Sequence, residues 1–329
     1  VRRLAMRWLV LPGAFLLGGA APAEFPLQHL LNDAKAAQVF DYPSLRGHQD
    51  AQSPQALLTA TRSAIKQRHG GQEESCRTTA EVWVEQGLTT ASRGDDSEGW
   101  RRDRTAAEKL MMRFQTLRQT VLDGGQTGDA EMDREMAVIQ RDVAAAPTPR
   151  AKALERRVLS DQFNRRFGMG LQKEFTKTLP PTTHNLFDAL LLSNICDDDH
   201  RNLEWIKDQI EQSGWFSISR DGPTADQDAW LLVQHADDDV AYQEKILSLL
   251  TDLRAHGDTS AKDYAYLYDR VAVNRERPQR YGTQGGCKNG ERFTAPLEDP
   301  TKVDALRAEV GLKPLAEYNA LFRCRKPTG

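Results

Sequence analysis

Through most of this chain the apolar residues return every three or four positions, and the runs are punctuated by glycine and proline. That period is the signature of amphipathic helices, and it leaves little room for a large sheet. Leu110, Phe114, Leu117 and Val121 keep it up to the stop at Gly124-Gly125, and Met132, Met136, Ile139 and Val143 keep it again after a cap at Thr127. A short glycine-containing connection between two such runs predicts an antiparallel helical hairpin. Shorter helices are expected near 26–40, 54–68 and 77–87, with the polar stretch Arg93 to Asp103 as a loop. The methionine and apolar stripes read as core.

Pro147 and Pro149 cannot sit inside a helix, so the chain should divide there. We expect a helical N-terminal region, 24–146, and a second module, 150–329. Helical patterns resume with Leu154, Val158 and Phe163, and again from Asn185 to Ile195. The acid runs Asp197-Asp198-Asp199 and Asp237-Asp238-Asp239 each look like a helix start, where carboxylates meet the positive end of the helix dipole. Thr224 or Asp226 should cap the helix that carries Trp230 to His235.

The period changes after Ala265. Val271 and Val273 alternate with polar neighbours from Tyr268 to Asn274, Arg275 to Pro278 reads as a turn, and Gln279 to Gln284 returns. Asn289-Gly290 is the strongest two-residue hairpin signal present. A three-stranded antiparallel meander near 268–295 is therefore expected, followed by helices from Asp299-Pro300 and from Pro314 to Phe322. The expected fold class is mainly α: a helical N-terminal half plus a helical C-terminal module with a small β-meander.

The first 23 residues read as a secretory signal. Arg2, Arg3 and Arg7 precede an apolar run from Trp8 to Ala20, and Ala21-Pro22-Ala23 has the small-x-small cleavage pattern. The run is shorter than the roughly 20 apolar residues of a membrane span, so no stable span is expected once the signal is removed. The segment takes away three arginines and no acids, which would leave a net charge of about −6 instead of the −3 of the whole chain. An acidic surface argues against nucleic acid as the partner. A small molecule or a protein of the cell envelope is expected instead, in a periplasmic or secreted setting.

Cys76, Cys196, Cys287 and Cys324 are even in number and show no C-x-x-C spacing. In an oxidising compartment this favours two disulfides over zinc or free thiols. Cys287 with Cys324 is the expected pair, since both lie in the C-terminal module.

The polar chemistry gathers in the last third. His235 ends an apolar helical run and can act as base or acid near neutral pH. It needs an orienting acid, for which Asp237, Asp269 and Asp199 are the candidates. We expect one cleft holding His235 and Asp269 as the catalytic pair, with Arg270, Gln279, Tyr281 and Gln234 as ligand-binding groups. Asp161, Arg165, Asp199 and Asn202 would form a second wall. Arg270 or Arg165 would clamp a carboxylate or phosphate. The same residues could equally be a buried network that ties a hairpin to a helix. No nucleophile elbow and no H-E-x-x-H occurs, and the histidines are scattered. No metal site is therefore expected, because three or four ligands must converge on one. No cofactor is indicated.

From about Leu159 to Phe322 the chain resembles a bacterial family, the domain of unknown function numbered 6624. The residues that carry the resemblance are Asp161-Gln162…Arg165, Asp199…Asn202, Gly214-Trp215, Trp230…Gln234-His235…Asp237, Asp269-Arg270-Val271, Gln279…Tyr281…Gln284 and Asp304…Arg307…Gly311-Leu312…Tyr318. Phe216 stands where the family has proline after Gly-Trp, and Arg277 where it has glycine before Pro-Gln. The family implies no activity. The residues themselves suggest acid–base chemistry on a small polar or peptide-like substrate, with a non-catalytic binding module as the alternative.

Overall fold

A computed structural model describes residues 27–47, 53–70, 76–237 and 239–324. The expected signal segment lies outside them. The fold is mainly α, with one small antiparallel sheet near the C-terminus.

The chain starts with a 3-10 turn, Leu30–Asn32, then α1 (Ala34–Val39), a second 3-10 turn, Tyr42–Gly47, α2 (Pro54–Arg68) and α3 (Thr79–Arg93). Local chemistry sets these starts. Asp33 and Ser53 accept from the first-turn N–H groups of α1 and α2, and Thr78 and Glu81 form a reciprocal capping box on α3. Next come α4 (Ser97–Leu122) and α5 (Ala130–Ala145). The loop expected from Arg93 to Asp103 shrinks to three residues, because Asp96 accepts from the N–H of Gly99 and launches α4 early. The expected hairpin of α4 and α5 is open. Gln140 Nε2 reaches back to the carbonyls of Val121 (2.9 Å) and Gly125 (3.1 Å), while α5 packs along the next helix.

That helix is α6 (Pro149–Arg166), capped by Thr148 and led by proline. A π-turn, Phe167–Leu171, and α7 (Gln172–Thr176) lead to α8 (Pro181–Ser213), a single helix of 33 residues. The expected break before Asp197 does not occur. Asp198 is buried in mid-helix and satisfied by Arg118 of α4 (2.7 Å) and by Asn164 and Arg201. Asp198 and Asp199 bind cations from neighbouring helices, Arg118 and Arg165, and do not cap.

The remaining helices are α9 (Ile218–Asp221), α10 (Pro223–Gln234), α11 (Val240–Ala255) and α12 (Ala261–Asn274). Neither Thr224 nor Asp226 caps α10. Gly222 holds that position, and Asp226 is buried, accepting from Trp215 Nε1 (2.6 Å), Thr259 (2.7 Å) and the N–H of Ser260 (2.9 Å). Asp239 does cap α11.

The three-stranded meander is corrected to a two-stranded hairpin. Residues 268–274 are the last two turns of α12, where Tyr264, Leu267 and Val271 form one buried helical stripe that outweighs the brief Val271/Val273 alternation. The strands are β1 (Gly285–Lys288) and β2 (Glu291–Thr294), joined by Asn289-Gly290 with both residues at positive φ (54° and 84°). The Gln279 stretch forms one isolated parallel bridge to Leu297. Short helices α13 (Val303–Glu309) and α14 (Leu315–Ala320) close the chain.

Two disulfides fasten these pieces, Cys76–Cys196 and Cys287–Cys324. The second is the expected pair. The first ties the segment before α3 to the middle of α8. Disulfides of this kind belong to an oxidising compartment. Among the described residues no helix is long and apolar enough to cross a membrane.

Among the described residues two large hydrophobic cores result, beside a small third one at Ala265, Tyr281 and Val310. One large core gathers Trp83, Trp100, Phe114, Phe163, Phe167 and Phe187, and the other Leu154, Val158, Ile206, Trp215, Phe216, Leu232 and Leu250. They divide along helices, not at Pro147 and Pro149. The start of α6 (Leu154, Val158) packs into one core and its end (Leu159, Phe163) into the other. α8 does the same, with Leu186 to Leu191 on one side and Leu203 and Ile206 on the other. The later part of α6 and the middle of α8, with their acids, therefore meet at the seam between the cores.

Candidate functional site

At that seam, the end of α6, the middle of α8, the end of α10 and α12 surround a cleft of about 410 Å³. Its polar side carries Arg165, Asp199, His200, His235, Asp237 and Arg270, and its apolar side Leu192, Ile195, Leu203 and the Cys76–Cys196 disulfide. Cleft and cluster coincide because Cys196 and Asp199 are three residues apart on α8 and so share a face.

His235 follows α10, and its N–H still bonds to the carbonyl of Leu231 (3.1 Å), which fixes its backbone. Its Nδ1 lies 3.1 Å from Asp161 Oδ1. The Asp161 side chain is 1% exposed and that of His235 17%. A carboxylate at Nδ1 selects the tautomer with the proton there, leaving Nε2 as the basic nitrogen. Asp161 Oδ1 also accepts from Arg165 Nε (3.0 Å), and Oδ2 accepts from Gln162 (2.8 Å). Arg165 Nη2 donates to Asp199 Oδ1 at 2.6 Å. The result is a line of alternating groups, His235–Asp161–Arg165–Asp199.

The two carboxyls respond differently to this setting. Burial pushes Asp161 up, but the hydrogen bond and charge of His235, with the Arg165 guanidinium, hold it below the usual carboxylate range. For Asp199 burial wins over Arg165, with Asp161 adding to it, and the carboxyl is pushed up to about 6. Arg165, although burial opposes its charge, is held above its ordinary value by Asp161 and Asp199.

The expected residues thus separate into two groups. His235, Arg270, Arg165 and Asp199 line the cleft, with Asp161 directly behind His235. The orienting acid is Asp161, from the expected second wall, and not Asp237, Asp269 or Asp199. Asp237 instead holds Arg270 (2.9 Å) and Asn274 (3.1 Å) across the mouth. Gln234 keeps its side-chain oxygen buried without a partner. Asn202 is buried, and its Oδ1 accepts from Arg157 (3.1 Å).

Asp269, Gln279 and Tyr281 are elsewhere and do structural work. Asp269 is fully buried and accepts from the N–H groups of Arg280 (2.8 Å), Tyr281 (3.0 Å) and Thr283 (2.8 Å). Gln279 imitates a strand, donating to the carbonyls of Gln284 (2.8 Å) and Ala295 (2.9 Å) and accepting from the N–H of Gln284 (2.8 Å). Tyr281 packs with Ala265 and Val310, and Arg307 Nη1 donates to its carbonyl. Gly282 between them is at φ 68°, and a Cβ there would lie 2.9 Å from Leu315. Its smallness serves the fold of this loop, not a ligand.

The sequence reading missed one arrangement. Asp161, Asp199 and His235 each offer a ligand atom, all within 4.8 Å of one another. No local motif announces it, since the three positions come from separate helices.

No curated protein and no solved structure matches the chain. Helix α6, with Asp161 and Arg165, precedes the one segment that does match, and over residues 180–325 that segment fits the family described as "Family of unknown function (DUF6624)".

Proposed function

We propose that this is an exported protein whose His235 cleft carries out acid–base chemistry on a small polar or peptide-like substrate. The observation that carries the reading is the His235–Asp161 pair: a buried carboxylate at Nδ1, with the imidazole at the wall of an open cleft. That pairing orients a general base and stabilises its protonated form. Asp199, at about 6, supplies a second group that changes charge near neutrality. Arg270 offers a cation for a substrate carboxylate, and the Leu192, Ile195 and Leu203 wall offers a place for an apolar side chain. The disulfides fit a periplasmic or secreted setting. A binding module without catalysis is the second reading. It is favoured by the satisfaction of both oxygens of Asp161 within the protein.

A panel of chromogenic esters, amides and phosphoesters, run with wild type and His235→Gln, tests the proposal. Turnover of one class, falling by about 100-fold or more in the variant with its melting temperature nearly unchanged, is expected. Absence of turnover by wild type, or turnover that His235→Gln leaves intact, would overturn it in favour of the binding module.

A further inference from the structure

We propose that Asp161, Asp199 and His235 form a binding site for a divalent first-row transition-metal ion, which Arg165 closes when no ion is bound. The three donors come from α6, α8 and the end of α10, and their ligand atoms lie within 4.8 Å of one another. His235 Nδ1 and Asp161 Oδ1 are 3.1 Å apart. That is close to the separation of two adjacent ligands on one ion at about 2.1 Å, roughly 3.0–3.4 Å for octahedral or tetrahedral geometry. With the three ligand atoms spread over as much as 4.8 Å, Asp199 would close by up to about 1.4–1.8 Å to join them. Asp199 and His235 line the cleft and Asp161 lies directly behind His235; three protein donors are the number that leaves coordination positions for water. One imidazole with two carboxylates suits zinc, manganese, iron(II) or cobalt, whereas calcium prefers oxygen alone.

Arg165 is the second observation. Its guanidinium bridges the two carboxylates, Nε at 3.0 Å from Asp161 and Nη2 at 2.6 Å from Asp199. Positive charge is already gathered at this locus, by a side chain that is 28% exposed and lines the cleft. An ion would exchange for that guanidinium, which can swing outward into water. The site therefore has two closed states, one latched by arginine and one holding metal. This inference shares the cleft with the acid–base reading but does not need it, since binding is measured without substrate.

The test is calorimetric titration of the metal-stripped full chain with zinc(II) alone and manganese(II) alone. One ion per chain is expected, with affinity reduced at least about 10-fold in Asp199→Asn and in His235→Ala, the loss seen even for residues outside the ligand shell. Arg165→Met, which removes the competitor, should bind more tightly than wild type. Zinc should raise the melting temperature of wild type and Arg165→Met more than that of Asp199→Asn. In wild type, manganese should broaden the His235 ring resonances, a readout that needs no variant to fold. Three results would overturn the proposal: no binding by wild type or Arg165→Met, affinity indifferent to Asp199→Asn and His235→Ala, or weaker binding by Arg165→Met. Each leaves the substrate panel with His235→Gln to be judged separately.

Discussion

Glu155→Gln is the substitution whose effect the structure quantifies best. Glu155 sits on α6, 1% exposed, with Oε2 buried and lacking a hydrogen-bond partner. Burial, with Asp142 of α5 adding to it, pushes its carboxyl from 4.5 up to about 7. Asp228 of α10 is raised in turn to about 8, by burial and then by Glu155, Asp142 and Asp161. Because the folded value lies above the unfolded one, the native state holds this proton the more tightly. The stabilisation is whole below about pH 4.5 and is lost as pH rises through about 7. A difference of about 2.5 units corresponds to about 3 kcal/mol, an upper bound that any access of water lowers. Glutamine has nearly the same shape and never ionises. Urea unfolding of wild type and Glu155→Gln, with disulfides intact, should show the variant more stable by up to about 3 kcal/mol at pH 8.5. At pH 5 the gap should fall below about 1 kcal/mol. Relief of Asp228 acts in the same direction. A gap that does not change with pH, or a variant less stable at pH 8.5, would refute the claim that this acid is held neutral by burial.

Other outcomes follow from the same geometry. Asp269→Asn should lower stability by about 1–3 kcal/mol, because an amide cannot satisfy three N–H groups as a carboxylate does; an unchanged melting temperature would contradict that role. Opening the Cys76–Cys196 link, with a sequence separation of 120 residues, should cost about 5 kcal/mol, against about 4 kcal/mol for Cys287–Cys324 at 37 residues, on the loop-closure model. Paired serine variants compared by denaturation decide that order. Carboxyl NMR should place Asp199 near 6 and Asp161 below the usual carboxylate range. Coincident midpoints for the two would refute their assignment to opposite environments.

The sequence made the helices readable where propensity, caps and period agreed, as in α4, and the Asn289-Gly290 turn and the Cys287–Cys324 pair were readable for the same local reason. α12 was misread because two alternating valines imitate a strand over five residues, while its helical stripe emerges only when Tyr264 and Leu267 are counted with Val271. The run Asp197-Asp198-Asp199 imitates a cap, and only the positions of Arg118 and Arg165 explain how Asp198 and Asp199 survive inside a helix. The site was half legible. His235 was recognisable by chemistry and its place after an apolar run. Its partner Asp161 is 74 residues away, and sequence distance carries no sign of which acid the fold will bring to it. Asp269 carries the same functional group but is consumed by the backbone of its own loop.

Helices α6 and α8 serve both cores, and this makes any fragment cut at the family's matched boundary a poor stand-in for the protein. A piece spanning 180–325 would keep Asp199 and His235 but lose Asp161 and Arg165, and with them half the cluster. It would also bare Leu203 and Ile206, on which α6 normally rests. Such a piece would tend to stick to itself and would be silent in any assay that depends on the cleft. The two lobes should likewise melt together, so that one transition reports both, and weakening either lobe would loosen the grip on His235 from a distance.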